Sequence, residues 1–287
     1  MKKLNKHITF CTLFFASIGY AQTTVSSDST YLSDGNKPSY TTTVVGLTAA
    51  MTAVHFARYT PLWDNYKTSF FVKENSLYAS NYDKALHLYG GIVSSDIFAS
   101  GLRLQGFEKE RAVLLGAASS SLFYLFIELE DAHISYLGFD AIDLTASVLG
   151  SSYPVLQHYI PFFNSFTPKF SYQSSGINTT MPNQYSPKFL SDHEGQTYWV
   201  GVTVADLLPA SYKESYPRWL GAAAGFSMRN LGHNTRQEYY ITLDVDLRTI
   251  DTKSDFINTI LRTLNYIHFP MPGIKFSQGK PQFGIYF

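Results

Sequence analysis

The chain is poor in sulfur and in charge. Its one cysteine, Cys11, lies within the first dozen of 287 residues. Without a leader that contains it, the chain has no disulfide, no thiolate metal site and no thiol to carry a lipid. Charged residues make up 15%, against roughly 25% in an average soluble domain. The 22 basic and 22 acidic residues balance. There is no basic stripe, so nucleic acid is excluded as a partner. No G-x-S-x-G nucleophile motif and no H-E-x-x-H zinc motif occurs. No stretch reads as a clear spanning helix, because His55, His87 and Asp96 interrupt the apolar runs.

What is present begins with an export signal. Met1 to Lys6 is basic, Ile8 to Ile18 is apolar and too short to span a bilayer, and Gly19-Tyr20-Ala21 offers a small-residue cleavage site. The expected organisation is a signal peptide over 1–21 and a Ser/Thr-rich flexible leader over 22–42. A helical bundle over 43–163, a linker over 164–195 and a strand-rich region over 196–287 follow. Aromatics reach 16%, a balance that suits either a large aromatic core or a surface facing membrane or partner.

The expected fold class is α+β, mainly α. A four-helix, weakly apolar, membrane-associated bundle precedes a small antiparallel β region with one amphipathic helix. The helices are read at Thr43 to Tyr59, Tyr82 to Leu104, Glu108 to Asp131 and Ala141 to Tyr159. All are rich in Gly, Ala and Ser, which let helices approach closely. Four or five strands are expected. Two of them lie at Tyr198 to Val204 and around Ile241 to Arg248, where apolar and polar residues alternate to give one wet face. Trp219 to Met228 and a terminal hairpin around Gly279 complete the set, with too few strands for a barrel. Ser254 caps the amphipathic helix.

Three polar clusters interrupt the apolar helices: Asp83-Lys84-x-x-His87, Glu128-x-x-Asp131 and Asp140-x-x-Asp143. Spacings of three or four residues put both side chains on one helix face. Buried charges need partners, so the clusters are expected to meet. In the expected lock, Lys84 neutralises Glu128 or Asp143, and His87 donates to Asp131 or Asp140. In the sharper alternative, His87, Glu128, Asp131 and Asp143 hold a divalent metal ion, with His133 as a further candidate ligand. A Glu128–His87 pair for acid–base hydrolysis is a third option.

The order D-K-x-x-H, then E on the next helix, then Asp143-Leu144-x-x-Ser147-x-x-Gly150 resembles the YfiM-like family of predicted bacterial periplasmic lipoproteins. It is more distantly similar to VanZ-like membrane proteins. The strand-rich half resembles longer members from Bacteroidota-type bacteria. Two features depart from the pattern: Ser147 stands where the family has Asn, and the lipid-bearing Cys is missing. The resemblance implies compartment and architecture rather than an activity.

These features predict an exported, non-enzymatic cell-envelope protein at the outer membrane or its periplasmic face. Its expected partners are outer-membrane lipids and a barrel protein or multi-protein envelope complex, and no cofactor is expected beyond the possible metal. The alternatives are a membrane-bound or periplasmic hydrolase and a lipid-binding carrier.

Overall fold

A computed structural model describes residues 63–73, 81–176, 188–231 and 234–287, together with Gly46, Ala49 and Ala53. The expected signal, leader and first helix lie outside the described residues, apart from those three helical positions. The other three helices fall where the apolar spacing places them: α1 (Asp83–Leu104), α2 (Lys109–Asp131) and α3 (Ala141–Tyr159). Asp140 caps α3, its Oδ1 accepting from the N–H groups of Ile142 at 2.9 Å and Asp143 at 3.3 Å.

Small residues set the helix contacts. A Cβ on Gly91 would run into the backbone of Ser147 and Ser151, and one on Gly150 into the carbonyl of Leu88. At this crossing the buried hydroxyls of Ser94 and Ser120 lie 2.6 Å apart, and those of Ser120 and Ser151 2.7 Å apart. Ser151 then donates to the Ser147 carbonyl at 2.8 Å. The chain of hydroxyls joins all three helices where larger side chains could not fit. One sequence reading is corrected here: Lys109–Asp131 is long and apolar enough to cross a membrane.

The C-terminal half forms a six-stranded antiparallel meander in sequence order. Its strands are β1 (Phe166–Tyr172), β2 (Gln196–Val202), β3 (Leu220–Arg229), β4 (Arg236–Val245), β5 (Met271–Ser277) and β6 (Lys280–Tyr286). The amphipathic helix α4 (Asp255–Leu264) links β4 to β5, capped by Ser254. Gln278 and Gly279, both at positive φ, make the two-residue turn between β5 and β6. The sheet has six strands rather than four or five because β1 lies inside the expected linker. Its Pro168 weakens the strand signal in sequence, yet Pro is tolerated on an edge strand.

The larger correction concerns which face is wet. The polar residues of β4 are the buried ones: Thr242 is 3% exposed and Asp244 2%, whereas Ile241 is 58% exposed and Leu243 44%. Along β1 the buried positions are Thr167, Lys169 and Ser171. The polar face is filled by Trp199, His268 and Asn265, with the His268 ring stacked 3.8 Å from the Trp199 ring. Lys169 Nζ sits 2.8 Å from Asp244 Oδ2, and His268 Nδ1 sits 3.2 Å from Asp244 Oδ1. The opposite face is apolar and carries no charged residue in any strand. The helices cover part of it. Tyr89 stacks on Phe170 at 5.4 Å, and Tyr82 meets Tyr198 at 5.2 Å and Phe226 at 5.8 Å. The Arg262–Asp96 ion pair at 3.2 Å ties α4 to α1. Val200, Tyr239, Ile241, Leu243, Phe283 and Ile285 on that face are exposed, as is the apolar stripe of α4 at Phe256, Ile257, Ile260 and Leu264.

Candidate functional site

The polar clusters meet where the first turn of α1, the last turn of α2 and the start of α3 converge. The connection between α2 and α3 makes this possible. Ile134, fully buried, packs against Trp63, Tyr66, Tyr136 and Leu137. The segment 67–73 pairs with it through bridges at Lys67–Ile134 and Val72–Phe139. Gly138, at φ 76°, turns the chain against the Phe71 ring. The loop is therefore anchored, and Asp140 enters the centre at a fixed position.

Lys84 is the hub. Its Nζ lies 3.1 Å from Asp83 Oδ2, 2.9 Å from Asp140 Oδ2 and 2.6 Å from Asp143 Oδ1. Of its two expected partners it takes Asp143 and not Glu128. Glu128 is engaged differently: its Oε2 accepts the Asp140 N–H at 3.0 Å. His87, one turn beyond Lys84, is also corrected. Its Nδ1 lies 3.2 Å from Ser147 Oγ and its Nε2 3.7 Å from Asp143 Oδ2, two partners that the expected lock did not give it. Ser147 thus occupies the amide position of the family pattern with a single hydroxyl, fully buried, facing the imidazole.

Lys73 is the residue that the sequence reading missed. It lies 3.9 Å from Asp140 Oδ2, carried there by the strand-like pairing of 67–73. The one signal available was a lone cation closing the run Phe70-Phe71-Val72. His133 does not join the centre. It packs edge-on against Trp63 at 6.0 Å and Phe70 at 5.8 Å.

The electrostatics follow from unequal numbers of acids and amines. Burial would lower the Lys84 pKa, but hydrogen bonds to Asp143 and Asp140 outweigh it and hold the ammonium charged. Burial would raise the Asp140 pKa, but Lys84 and the N–H groups of Ile142 and Asp143 hold it below the usual carboxylate range. Asp83 is pushed up by burial and by Asp143. Glu128, only 2% exposed, is pushed up to about 8, chiefly by burial, with the neighbouring acids adding to it. At neutral pH it therefore holds a proton, which lowers the negative charge of the cluster.

One donor set suits a metal ion. His87, Glu128 and Asp143 offer atoms that all lie within 4.8 Å of one another. Asp131, the fourth expected ligand, is buried but is not in that set.

Residues 70–159 match the model of a family described as predicted periplasmic lipoprotein (DUF2279). The match covers just under a third of the chain and includes every residue of the polar centre. It supports an exported, periplasmic protein of the cell envelope. No curated protein and no solved structure matches.

Proposed function

We propose that this is a non-enzymatic cell-envelope protein that lies on outer-membrane lipid and works as a subunit of a larger envelope assembly. The reading is carried by the inverted alternation of the sheet, in which polar side chains are buried and apolar ones face outward. That pattern is what a hydrocarbon environment selects. The open part of the face includes Val200, Ile241, Leu243 and Phe283, the last 82% exposed. Its freedom from charge favours lipid over a protein partner, since it offers no ion-pairing handle.

The sheet rests on the membrane rather than spanning it. The meander leaves the outer edge of β6 without a strand partner among the described residues, and the outer edge of β1 is paired only at Phe170, which bridges to Ile267; open sheet edges are not tolerated inside hydrocarbon. The polar centre then acts as a lock that fixes three weakly apolar helices in register. The test is flotation of the purified mature chain with vesicles of phosphatidylethanolamine and phosphatidylglycerol. Comigration with the vesicles, lost in an Ile241→Asp, Phe283→Asp variant that keeps its melting temperature, supports the proposal. A wild-type chain that stays with the soluble fraction ends it.

A second reading rests on the His87, Glu128 and Asp143 donor set. In it, a divalent ion replaces the Glu128 proton, and His87 presents Nε2 while Ser147 holds Nδ1. Titration with zinc or manganese by calorimetry, compared with His87→Ala, decides it. Stoichiometric binding lost in the variant favours the metal, and no heat favours the lock alone.

A further inference from the structure

The buried polar face of the sheet opens at one end into a cavity of about 320 Å³, adjoined by a second of about 370 Å³. Arg229 and Arg236 line both, and Lys275 lines the first. These three cations converge on one carboxylate. Glu238 lies 3.5 Å from Arg229 Nε, 3.1 Å from Arg236 Nη2 and 3.7 Å from Lys275 Nζ. Glu238 is already engaged by two hydroxyls, from Tyr240 at 2.9 Å and Ser277 at 3.1 Å.

The other acid here, Glu194 of the second cavity, accepts the N–H groups of Asn230 at 2.8 Å and Leu231 at 2.9 Å. Among the side chains, three cations face two acids in a partly enclosed space. Arg236 Nε is moreover buried without a hydrogen-bond partner, so part of a guanidinium fork is unused. Guanidinium forks match the oxygens of phosphate, and an ammonium beside them adds a point charge.

We propose that this cavity binds a phosphate group, as a phosphomonoester or phosphodiester, through Arg229, Arg236 and Lys275, in competition with Glu238 for the three cations. Two sources fit that chemistry. A lipid headgroup could reach the site from the apolar face, because Ile285 and Phe287 line the same cavity and Ile285 is among the exposed apolar residues. A free phosphate could enter from water. The site does not depend on the membrane reading, because binding of inorganic phosphate stands whether or not the chain floats with vesicles.

The experiment uses the full mature chain in two arms. Calorimetry with inorganic phosphate tests the free ion, and binding to phosphatidylglycerol vesicles against phosphatidylcholine vesicles tests the headgroup. Arg236→Gln is expected to weaken binding by about tenfold or more, the loss of a charge-assisted hydrogen bond. Glu238→Gln keeps one of the two acceptor oxygens that Tyr240 and Ser277 use while removing the competing charge, and is expected to tighten binding, a gain that misfolding cannot imitate. Both effects are expected to shrink as salt is raised. Phosphate binding with these two responses supports the site with a soluble ligand. The same responses confined to phosphatidylglycerol vesicles support it with a lipid headgroup. Absence of binding in both arms, or binding indifferent to both variants, overturns it.

Discussion

Lys84 Nζ lies 2.6 Å from Asp143 Oδ1, and this contact joins the first turn of α1 to the first turn of α3. The Lys84 side chain is 13% exposed and faces two further carboxylates. Breaking one side of a buried pair leaves the other charge uncompensated. Lys84→Met should therefore destabilise the fold by about 3–5 kcal/mol, read from denaturant unfolding at neutral pH. Asp143→Asn combined with Lys84→Met should recover part of that loss, because the second change removes a stranded carboxylate. Two losses that simply add would mean that the pair is not coupled.

The proton on Glu128 gives stability a definite pH dependence. Its folded pKa, about 8, lies above the ordinary value of 4.5. The folded state thus binds the proton more tightly than the unfolded chain. The contribution is fully present below pH about 4.5 and is lost as pH rises through about 8. Glu128→Gln keeps an acceptor for the Asp140 N–H and cannot ionise. The difference in unfolding free energy between wild type and Glu128→Gln should move in favour of the variant from pH 5 to pH 9 by a few kcal/mol, of order 1.4 per pKa unit. Using the difference cancels titrations elsewhere, such as that of His193, which burial holds below its usual range. A flat difference across that range would mean that Glu128 is ionised throughout.

The helix crossing predicts an effect without charge. A methyl on Gly91 would press on the Ser147 carbonyl and the Ser151 nitrogen of α3, both backbone atoms that cannot rotate away. Gly91→Ala should cost about 1–3 kcal/mol by overpacking, seen as a lowered melting temperature. Gly46→Ala is the control, since a Cβ there meets no atom within 4 Å. Equal effects at the two positions would contradict the close crossing.

Helix positions were legible in the sequence because caps and breakers are local: Asp140 opens α3, and Pro161 follows its end. The meeting of the three polar clusters was legible too, since the cost of burying charge demands partners for each. The identity of those partners was not. Glu128 takes a backbone N–H and His87 takes Ser147 because the loop anchored by Ile134 sets where Asp140 lies, and that anchoring is a long-range packing outcome. Lys73 entered the site by the same route. The strand alternation was visible along β4, but alternation alone does not say which face is inside. In water the apolar face is the natural choice for the interior. The fold reverses that choice, because Lys169, Asp244 and His268 come together only once β1, β4 and the segment after α4 are side by side.

The reversal itself yields the sharpest contrast between two neighbouring substitution sites. Asp244 holds the buried Lys169 at 2.8 Å, and the other partners of that ammonium are neutral: the Val245 carbonyl at 2.7 Å and Asn265 Oδ1 at 3.2 Å. Burial already pulls the Lys169 pKa down, with Asp244 opposing it. Asp244→Ala removes the one carboxylate in contact and should destabilise by about 3–5 kcal/mol. Ile241, three residues earlier on the opposite face, is a large apolar residue at 58% exposure. Ile241→Ser should change stability by about 0.5 kcal/mol or less, as at an ordinary surface position, yet weaken vesicle binding. An aliphatic residue that is cheap to remove and a carboxylate that is costly to remove invert the usual order for a strand in water. Unfolding curves for the two variants, measured side by side in detergent-free buffer, check that order. If Ile241→Ser proved the more damaging, the apolar face would have to be packed against protein, and lipid would lose its place as the surface this sheet meets.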